Sequence, residues 1–380
     1  MKKVVLSILF TISIITANAQ TTAIPDANFE QALIDLWIDS GPIDGSVPTA
    51  NINTVSSLNL SAYGISDLTG IEDFTMLSYL DCGNNQLTSI NLSQNTSLTY
   101  VNCMYNQLTT IDVTQNVNLY HLVCIVNQLT SLDVSQNPVL YQLESGYNQL
   151  TTLDVTQNPA LVALTCHDNQ LTTLDVTQNP ALTSLFCGYN QLTTLDVSQN
   201  TALHQLDFYY NQLSTIDLSQ HTVLSFLDCS NNQLTCLNVK NTNNMNFSFY
   251  DARNNPALTC IEVDDVAYST ANWTSIDPTS SFSTNCNNAC STIGVGVAGK
   301  TGNNHNLNIY PNPTSGQITI SLEEAKTGVL RVLNSLNQVI LEDKFKGARE
   351  LNTYIDEPSG IYFLQIEING EVITKKIVKE

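Results

Sequence analysis

The sequence predicts a mainly β chain: a solenoid of about ten coils of 21–22 residues with a short cap helix at its start, followed by a small antiparallel β-sandwich. Three observations carry this prediction. Leu77, Leu98, Leu119, Leu140, Leu161, Leu182, Leu203, Leu224 and Met245 recur at a 21-residue spacing without slippage. Each unit holds two short alternations of inward apolar and outward polar residues, the mark of short strands. After Asn306 the repeat vanishes and longer β-patterned runs replace it. A unit of this length cannot bury its apolar edge alone, so its core exists only where neighbours stack.

The first segment, residues 1–19, reads as a signal peptide. Lys2 and Lys3 precede the apolar run Val4 to Ile15, and Ala17-Asn18-Ala19 places cleavage between Ala19 and Gln20. That run is too short for a membrane span, and no other stretch approaches ~18 apolar residues, so no integral span is expected in the mature chain. Residues 20–54 form the N-terminal cap. Within it, Asp26 to Trp37 predicts an amphipathic helix with Asp26 as N-cap and Phe29, Leu33 and Leu36 on one face. Trp37, and Trp273 at the far end, are expected to pack into the caps, where burial is scarce.

The coils occupy residues 55–263. An entry unit, Val55-x-x-Leu58-x-Leu60, joins the pattern after 22 residues. Leu150 to Gln170 is the type unit, with halves Leu150-x-x-Leu153-x-Val155-x-x-Asn158 and Leu161-x-x-Leu164-x-Cys166-x-x-Asn169. This pattern resembles the leucine-rich repeat family. Leu164-x-Cys166 predicts a strand of a parallel ladder, and Leu153-x-Val155 a second, weaker or more irregular one. Asn85, Asn106, Asn127, Asn148, Asn169, Asn190, Asn211 and Asn232 are expected to form an inward column serving the amides of the turning backbone. The coil from Met245 to Val263 is stretched by three residues. Residues 264–290 then cap the stack, and residues 291–306, rich in Gly, Asn, Thr and Ser, read as a linker.

Cysteine placement separates structure from chemistry. Cys82, Cys103, Cys124, Cys166, Cys187 and Cys229 share one inward strand position and are expected to be free, buried thiols, because their side chains point the same way. A dry leucine-filled core offers soft metals no completed ligand sphere. Cys236, Cys260, Cys286 and Cys290 cluster at the C-terminal cap, where three pairings are open. Cys260 with Cys286 is the pairing expected, with Cys236 and Cys290 left unassigned. The five histidines match no metal spacing, and no nucleophile elbow, phosphate loop or C-x-x-C motif is present, so no catalytic site is read and the chain is taken as non-enzymatic.

Charge narrows the partners. From residue 20 to 290 there are 24 acidic residues against only Lys240 and Arg253, and the segment beyond is nearly balanced. Such a field repels phosphate backbones and anionic lipid, which excludes nucleic acid as a partner class. Outward positions on and beside the main ladder vary while the core repeats. Tyr100, Tyr105, His121, Tyr147, His167, Phe186, Tyr189, Tyr209, Tyr210 and Phe226 are therefore the candidate partner-binding residues. The alternative is a tyrosine stack that merely stabilises the ladder. On the opposite half, Asp112, Asp133, Asp154, Asp175, Asp196 and Asp217 form a column, each followed two residues later by Thr or Ser. Calcium is one counter-ion such a column could take and the only cofactor considered; the other reading is a solvated acidic surface.

Residues 307–380 predict strands over 317–322, 329–333, 338–345, 361–368 and 371–378, with Asn369-Gly370 as a two-residue hairpin turn. Leu307-Asn308-Ile309-Tyr310-Pro311-Asn312-Pro313-Thr314-Ser315-Gly316, Gly360-Ile361-Tyr362-Phe363-Leu364 and Lys375-Lys376-Ile377-Val378-Lys379 resemble the C-terminal sorting domain of the type IX (Por) secretion system of Bacteroidetes. The stretch Ile24 to Leu60 and the Cys260 to Cys286 cap are similar to those of leucine-rich repeat proteins from the same bacteria. The resemblance implies export, handling by the type IX machinery, removal of the domain, and release or attachment at the cell surface. The expected function is binding of a protein partner, as in adhesion, with a carbohydrate-binding accessory role in polymer utilisation as the alternative.

Overall fold

The computed structural model describes residues 20–286, 290, 307–310, 314–334, 339–368 and 371–379. The signal segment with Ala19, the linker 291–306 and the Asn369-Gly370 turn lie outside the described residues. The chain divides into two compact units, a solenoid and a C-terminal module.

The solenoid is organised by one parallel sheet of ten short strands, from Ser57–Asn59 to Phe249–Asp251. Leu80, Val101, Leu122, Leu143, Leu164, Leu185, Leu206 and Leu227 pair in register along it and are fully buried. The register is locked from inside by two asparagine columns. In the expected one, Asn169 Nδ2 donates to the carbonyls of Ser145, Cys166 and His167 at 3.0–3.2 Å, while its Oδ1 accepts the Leu150 N–H at 2.9 Å. A second column, Asn95, Asn116, Asn137, Asn158, Asn179 and Asn200, is wholly buried. There each Nδ2 after the first donates to the backbone carbonyl of the asparagine one coil earlier, at 2.8–2.9 Å. His221 continues this column, its Nε2 donating to the Val197 carbonyl at 3.1 Å.

The second ladder is shorter than expected. Its four strands, Thr215–Asp217, Cys236–Asn238, Cys260–Glu262 and Ser281–Ser283, lie only at the C-terminal end. In earlier coils Leu153 and Val155 are still buried, but that side forms no strand. The cap extends this second sheet, since Ser281–Ser283 pairs with Cys260–Glu262. Cys260 bonds Cys286, as expected, and Cys236 bonds Cys290, with Cα separations of 5.7 and 5.4 Å. Trp273 stacks on Tyr250 at 4.2 Å and closes the core.

At the other end the cap helix spans Ala27–Asp35, and Asp26 accepts the N–H groups of Asn28 and Phe29. Phe29, Ala32 and Leu33 are buried against Phe74 and the first coil. Leu36 and Trp37 depart from expectation. Leu36 is partly exposed, and Trp37 is 94% exposed at φ 61°. The helix stops at the half-in residue Leu36, and the N–H groups of Ile38 and Asp39 close on the Leu33 carbonyl. That tight C-terminal turn places Trp37 in the left-handed position and swings its ring off the buried face. Glu30 is buried because its carboxylate accepts the N–H groups of Asp44 and Gly45 at 2.7 and 2.8 Å.

In the C-terminal module five antiparallel strands, Leu307–Tyr310, Gln317–Leu333, Val339–Tyr354, Gly360–Ile368 and Glu371–Lys379, surround a core that includes Ile318, Ile320, Val332, Leu364, Ile366 and Ile377. The runs expected as separate strands over 317–322 and 329–333 are the two ends of one strand that bends at register shifts between Ser321 and Gly328. Arg331 ties it to both neighbours through Glu342 at 2.7 Å and Glu367 at 2.9 Å.

Two outcomes follow. Asn169→Ala strands several buried backbone groups and should cost roughly 2–4 kcal/mol in urea unfolding; a loss under about 1 kcal/mol would show the column to be dispensable. The six ladder cysteines are buried, and burial pushes the Cys103 and Cys166 thiols up to about 12. Alkylation of the native protein should therefore leave all six unlabelled until denaturant is added, as read by mass spectrometry.

Candidate functional site

Each ladder strand presents its first and third residues outward, and the turn after it adds two more positions. Tyr100, His121 and Phe226 hold the first position and Phe186 the third. His167 and Tyr209 lie two residues beyond their strands. Tyr105, Tyr147, Tyr189 and Tyr210 come next, at φ 47–53°. Asn84, Asn231 and Asn254 share this left-handed register, which suits asparagine and disfavours bulky side chains. The four tyrosines nevertheless occupy it and stand 42–51% exposed.

The rings form two groups. Toward the N-terminal end Tyr79 and Tyr100 stack at 4.5 Å, with His121 edge-on to Tyr100 at 5.0 Å. His121 Nε2 lies 3.2 Å from Glu144, which also accepts Gln142 Nε2 at 2.7 Å. The His121 hydrogen bond holds the Glu144 carboxyl below its usual range. Burial pushes the Tyr100 phenol up to about 12. Toward the C-terminal end Tyr189 stacks on Tyr210 at 4.4 Å, Phe226 stacks on Phe249 at 4.6 Å, and Phe186 lies 6.3 Å from Phe226. Tyr79 and Phe249 were not read from the sequence as part of this face. Extending the first outward register by 21 residues would have found Tyr79, whereas Phe249 lies 23 residues beyond Phe226 in a lengthened coil and the period alone points to Phe247. Tyr120 and Tyr141, stacked at 4.8 Å just before their strands, carry no signal in the inward–outward alternation.

Glycines shape this surface. A Cβ on Gly188 would sit 2.2 Å from the Tyr209 ring, and one on Gly146 would sit 3.1 Å from His167. A missing side chain in one coil thus lets a ring of the next lie back along the ladder. Tyr209 meets Tyr189 edge-on at 4.8 Å, and the Tyr147–His167 pair repeats that geometry at 4.8 Å.

Asp207, Asp228 and Asp251 hold the third position of three consecutive strands, in register. Asp251 is paired with Arg253. Asp228 accepts the N–H and hydroxyl of Ser230 at 3.0 and 2.7 Å. Asp207 accepts the Tyr209 N–H at 3.2 Å, and burial, added to by the Asp228 charge, raises its carboxyl to about 7.

The opposite aspartate column does local work. Asp112, Asp133, Asp154, Asp175, Asp196 and Asp217 each accept the N–H of the Thr or Ser two residues on, at 2.9 Å. The hydroxyls of Thr114, Thr156 and Thr177 add a second bond at 2.6–2.7 Å. These contacts hold Asp112 and Asp154 below the usual carboxylate range. Among the described residues no group of three or more His, Cys, Asp or Glu side chains is gathered in a way that could hold a metal ion.

Residues 308–380 match the family described as the secretion system C-terminal sorting domain. No curated protein matches the chain. Among solved structures, the functional domain of InlJ from Listeria monocytogenes, described as including a cysteine ladder, is similar at 38% identity and TM-score 0.59, over 65% of this chain and 58% of its own. A leucine-rich repeat protein from Leptospira interrogans is 24% identical over 56% of this chain and 62% of its own, with TM-score 0.46. The leucine-rich repeat ectodomain of the receptor kinase GASSHO1/SCHENGEN3 from Arabidopsis thaliana, in complex with CASPARIAN STRIP INTEGRITY FACTOR 2, is 21% identical with TM-score 0.53, over 62% of this chain and 31% of its own. This chain thus spans less than two thirds of each of these structures. The solenoid has the leucine-rich repeat fold, and the sorting domain implies export. No helix among the described residues is long and apolar enough to cross a membrane.

A carboxyl whose folded pKa lies above its unfolded value stabilises the fold only while protonated, so this contribution is lost as pH rises through the interval from about 3.8 to about 7. Asp207→Asn should therefore raise the unfolding temperature at slightly alkaline pH by a few degrees, about 2–4 °C per kcal/mol recovered. Calorimetry should show the gain shrinking toward pH 3.8, the ordinary value of the group. A pH-independent gain, or a loss, would contradict the assignment.

Proposed function

Because this chain joins a leucine-rich repeat solenoid to a secretion sorting domain, we propose that it acts outside the cell, binding a protein partner through the outer face of its main ladder. One observation carries the reading. Inner ladder positions are mostly Leu, Val and Cys, with Ser145, Phe208, Tyr250 and Ala252 as exceptions, whereas the first outer position runs Tyr79, Tyr100, His121, Gln142, Ala163, Ser184, Gln205, Phe226 and Phe249. Stacking alone requires no such variation, and ladder stability does not ask tyrosines to occupy a left-handed turn. Exposed tyrosines and phenylalanines are the side chains in which protein-binding surfaces are enriched.

The stacking favours a protein over a sugar. A pyranose binds by laying its C–H face on an open ring face. Here Tyr79, Tyr100, Tyr189, Tyr210, Phe226 and Phe249 spend ring faces on one another, with interplanar angles of 7–16°. Their edges, with the polar groups between them, are what an incoming protein would meet.

The test is capture of cell-surface proteins by the exported chain, compared with a Tyr209→Ala/Phe226→Ala double variant. The variant should lose the captured partner while keeping its unfolding temperature, and undiminished capture would sink the reading. Binding on a glycan array, abolished by the same substitutions, would transfer the face to a carbohydrate. Delivery is checked separately: deletion of residues 307–380 should leave the solenoid in the periplasm.

A further inference from the structure

Four side chains at the C-terminal third of the face build a corner. Tyr189 and Tyr210 stack as one wall, and the Tyr209 ring meets them at 77° and 74°. Asp207 lies beside it, accepting the Tyr209 N–H and placed so that a Cβ on Gly188 would stand 3.0 Å from its Oδ1. Burial first, and then the Asp207 and Asp168 charges, push the Tyr209 phenol up, and Asp228 adjoins Asp207 in the ladder.

We infer that this corner receives a lysine or arginine side chain of the protein partner, set against the Tyr209 ring and paired with Asp207. The inference rests on the partner-binding reading and gives that partner its chemistry.

Charge complementarity is the first argument. No Lys or Arg occurs between Lys3 and Lys240, and Arg253 is engaged by Asp251 through both carboxylate oxygens. His167 Nδ1 lies 2.9 Å from Asp168, so the nearby imidazole serves that carboxylate and no Lys or Arg of this stretch serves Asp207. The other acids named on this unit are better served. Glu144 is held by His121 and Gln142, Asp228 by Ser230, and the opposite column by its Thr and Ser turns. Asp207, half-buried beside a second carboxylate, costs stability as it stands, and a partner cation would relieve that cost.

The second argument is the ring arrangement. A cation gains most over an aromatic face, and more when an anion is within reach and water is partly excluded. Tyr209 departs from the face-to-face stacking of its neighbours because Gly188 leaves it room. The glycine thus serves the corner, not the turn: its φ is not in the left-handed region.

Fluorescein-labelled hexa-arginine, titrated into the exported chain at physiological ionic strength of about 0.15 M, tests this. Asp207→Asn and Gly188→Ala, which displaces the Tyr209 ring without altering charge, should each weaken binding about fivefold or more. Asp175→Asn on the opposite column removes the same charge and should change it less than about twofold. Unfolding curves verify that each variant is folded, and Tyr209→Phe, keeping the ring, should bind as the parent does. Equal losses in Asp175→Asn and Asp207→Asn would reduce the effect to the general acidic field and overturn the inference. Absence of peptide binding, or unchanged affinity in Asp207→Asn and Gly188→Ala, would overturn it as well. If the Tyr209→Ala/Phe226→Ala variant still loses the natural partner in that event, the partner-binding face stands without its cationic anchor.

Discussion

Every coil turns its backbone twice inside a narrow core, and the amides left in those turns must be hydrogen-bonded where water cannot reach them. The asparagine columns meet that demand. Asn169 ties three carbonyls and one N–H across two coils, while Asn158 bonds to the coil before it through its neighbour's backbone. Leucine packing fills the space between, but leucines tolerate slippage and these bonds do not. Coil register, strand pairing and the alignment of outer side chains all rest on them. His221 marks how far the rule bends: it keeps one donor to Val197, and burial pulls its imidazole below the usual range because a charged ring there would lack solvation.

With the inside so constrained, the outside is free to vary, and it is there that local rules are broken. Tyrosines sit in left-handed turns, a carboxylate is half-buried without a cation, and a tryptophan at 94% exposure stands at φ 61° beside the cap helix. Each costs the isolated fold something, in contrast to the aspartates of the opposite column, which form turn hydrogen bonds wherever they occur. The four left-handed tyrosines and the half-buried Asp207 lie on or beside the main ladder, where the local rules are relaxed.

Much of this was legible without coordinates. The 21-residue spacing, the first column of inward asparagines, the inward cysteines, the cap helix with Asp26 and the antiparallel module follow from local pattern, and Cys260–Cys286 was the expected one of three open pairings. Other features were not, for reasons that lie in three dimensions. Leu153-x-Val155 has the alternation of a strand, yet forms none, while the matching Thr215–Asp217 does pair, so the alternation alone does not decide it. Residues 317–322 and 329–333 look like two strands because a bulge interrupts the alternation without ending the pairing. Trp37 looks like core until the helix terminates at Leu36.

The sequence by itself determined the period, the side of the sheet on which each residue lies, the free thiols and the acidity of the solenoid, because these depend on spacing and composition alone. Only the tertiary structure decided which outer side chains touch. Residues 189, 207, 209 and 210 become a corner because a coil brings residues 21 apart side by side, and because Gly188 lacks the Cβ that would fill the space. Whether a ring stacks, lies back or stands edge-on depends on the neighbour one coil away, and no reading along the chain contains that neighbour's shape.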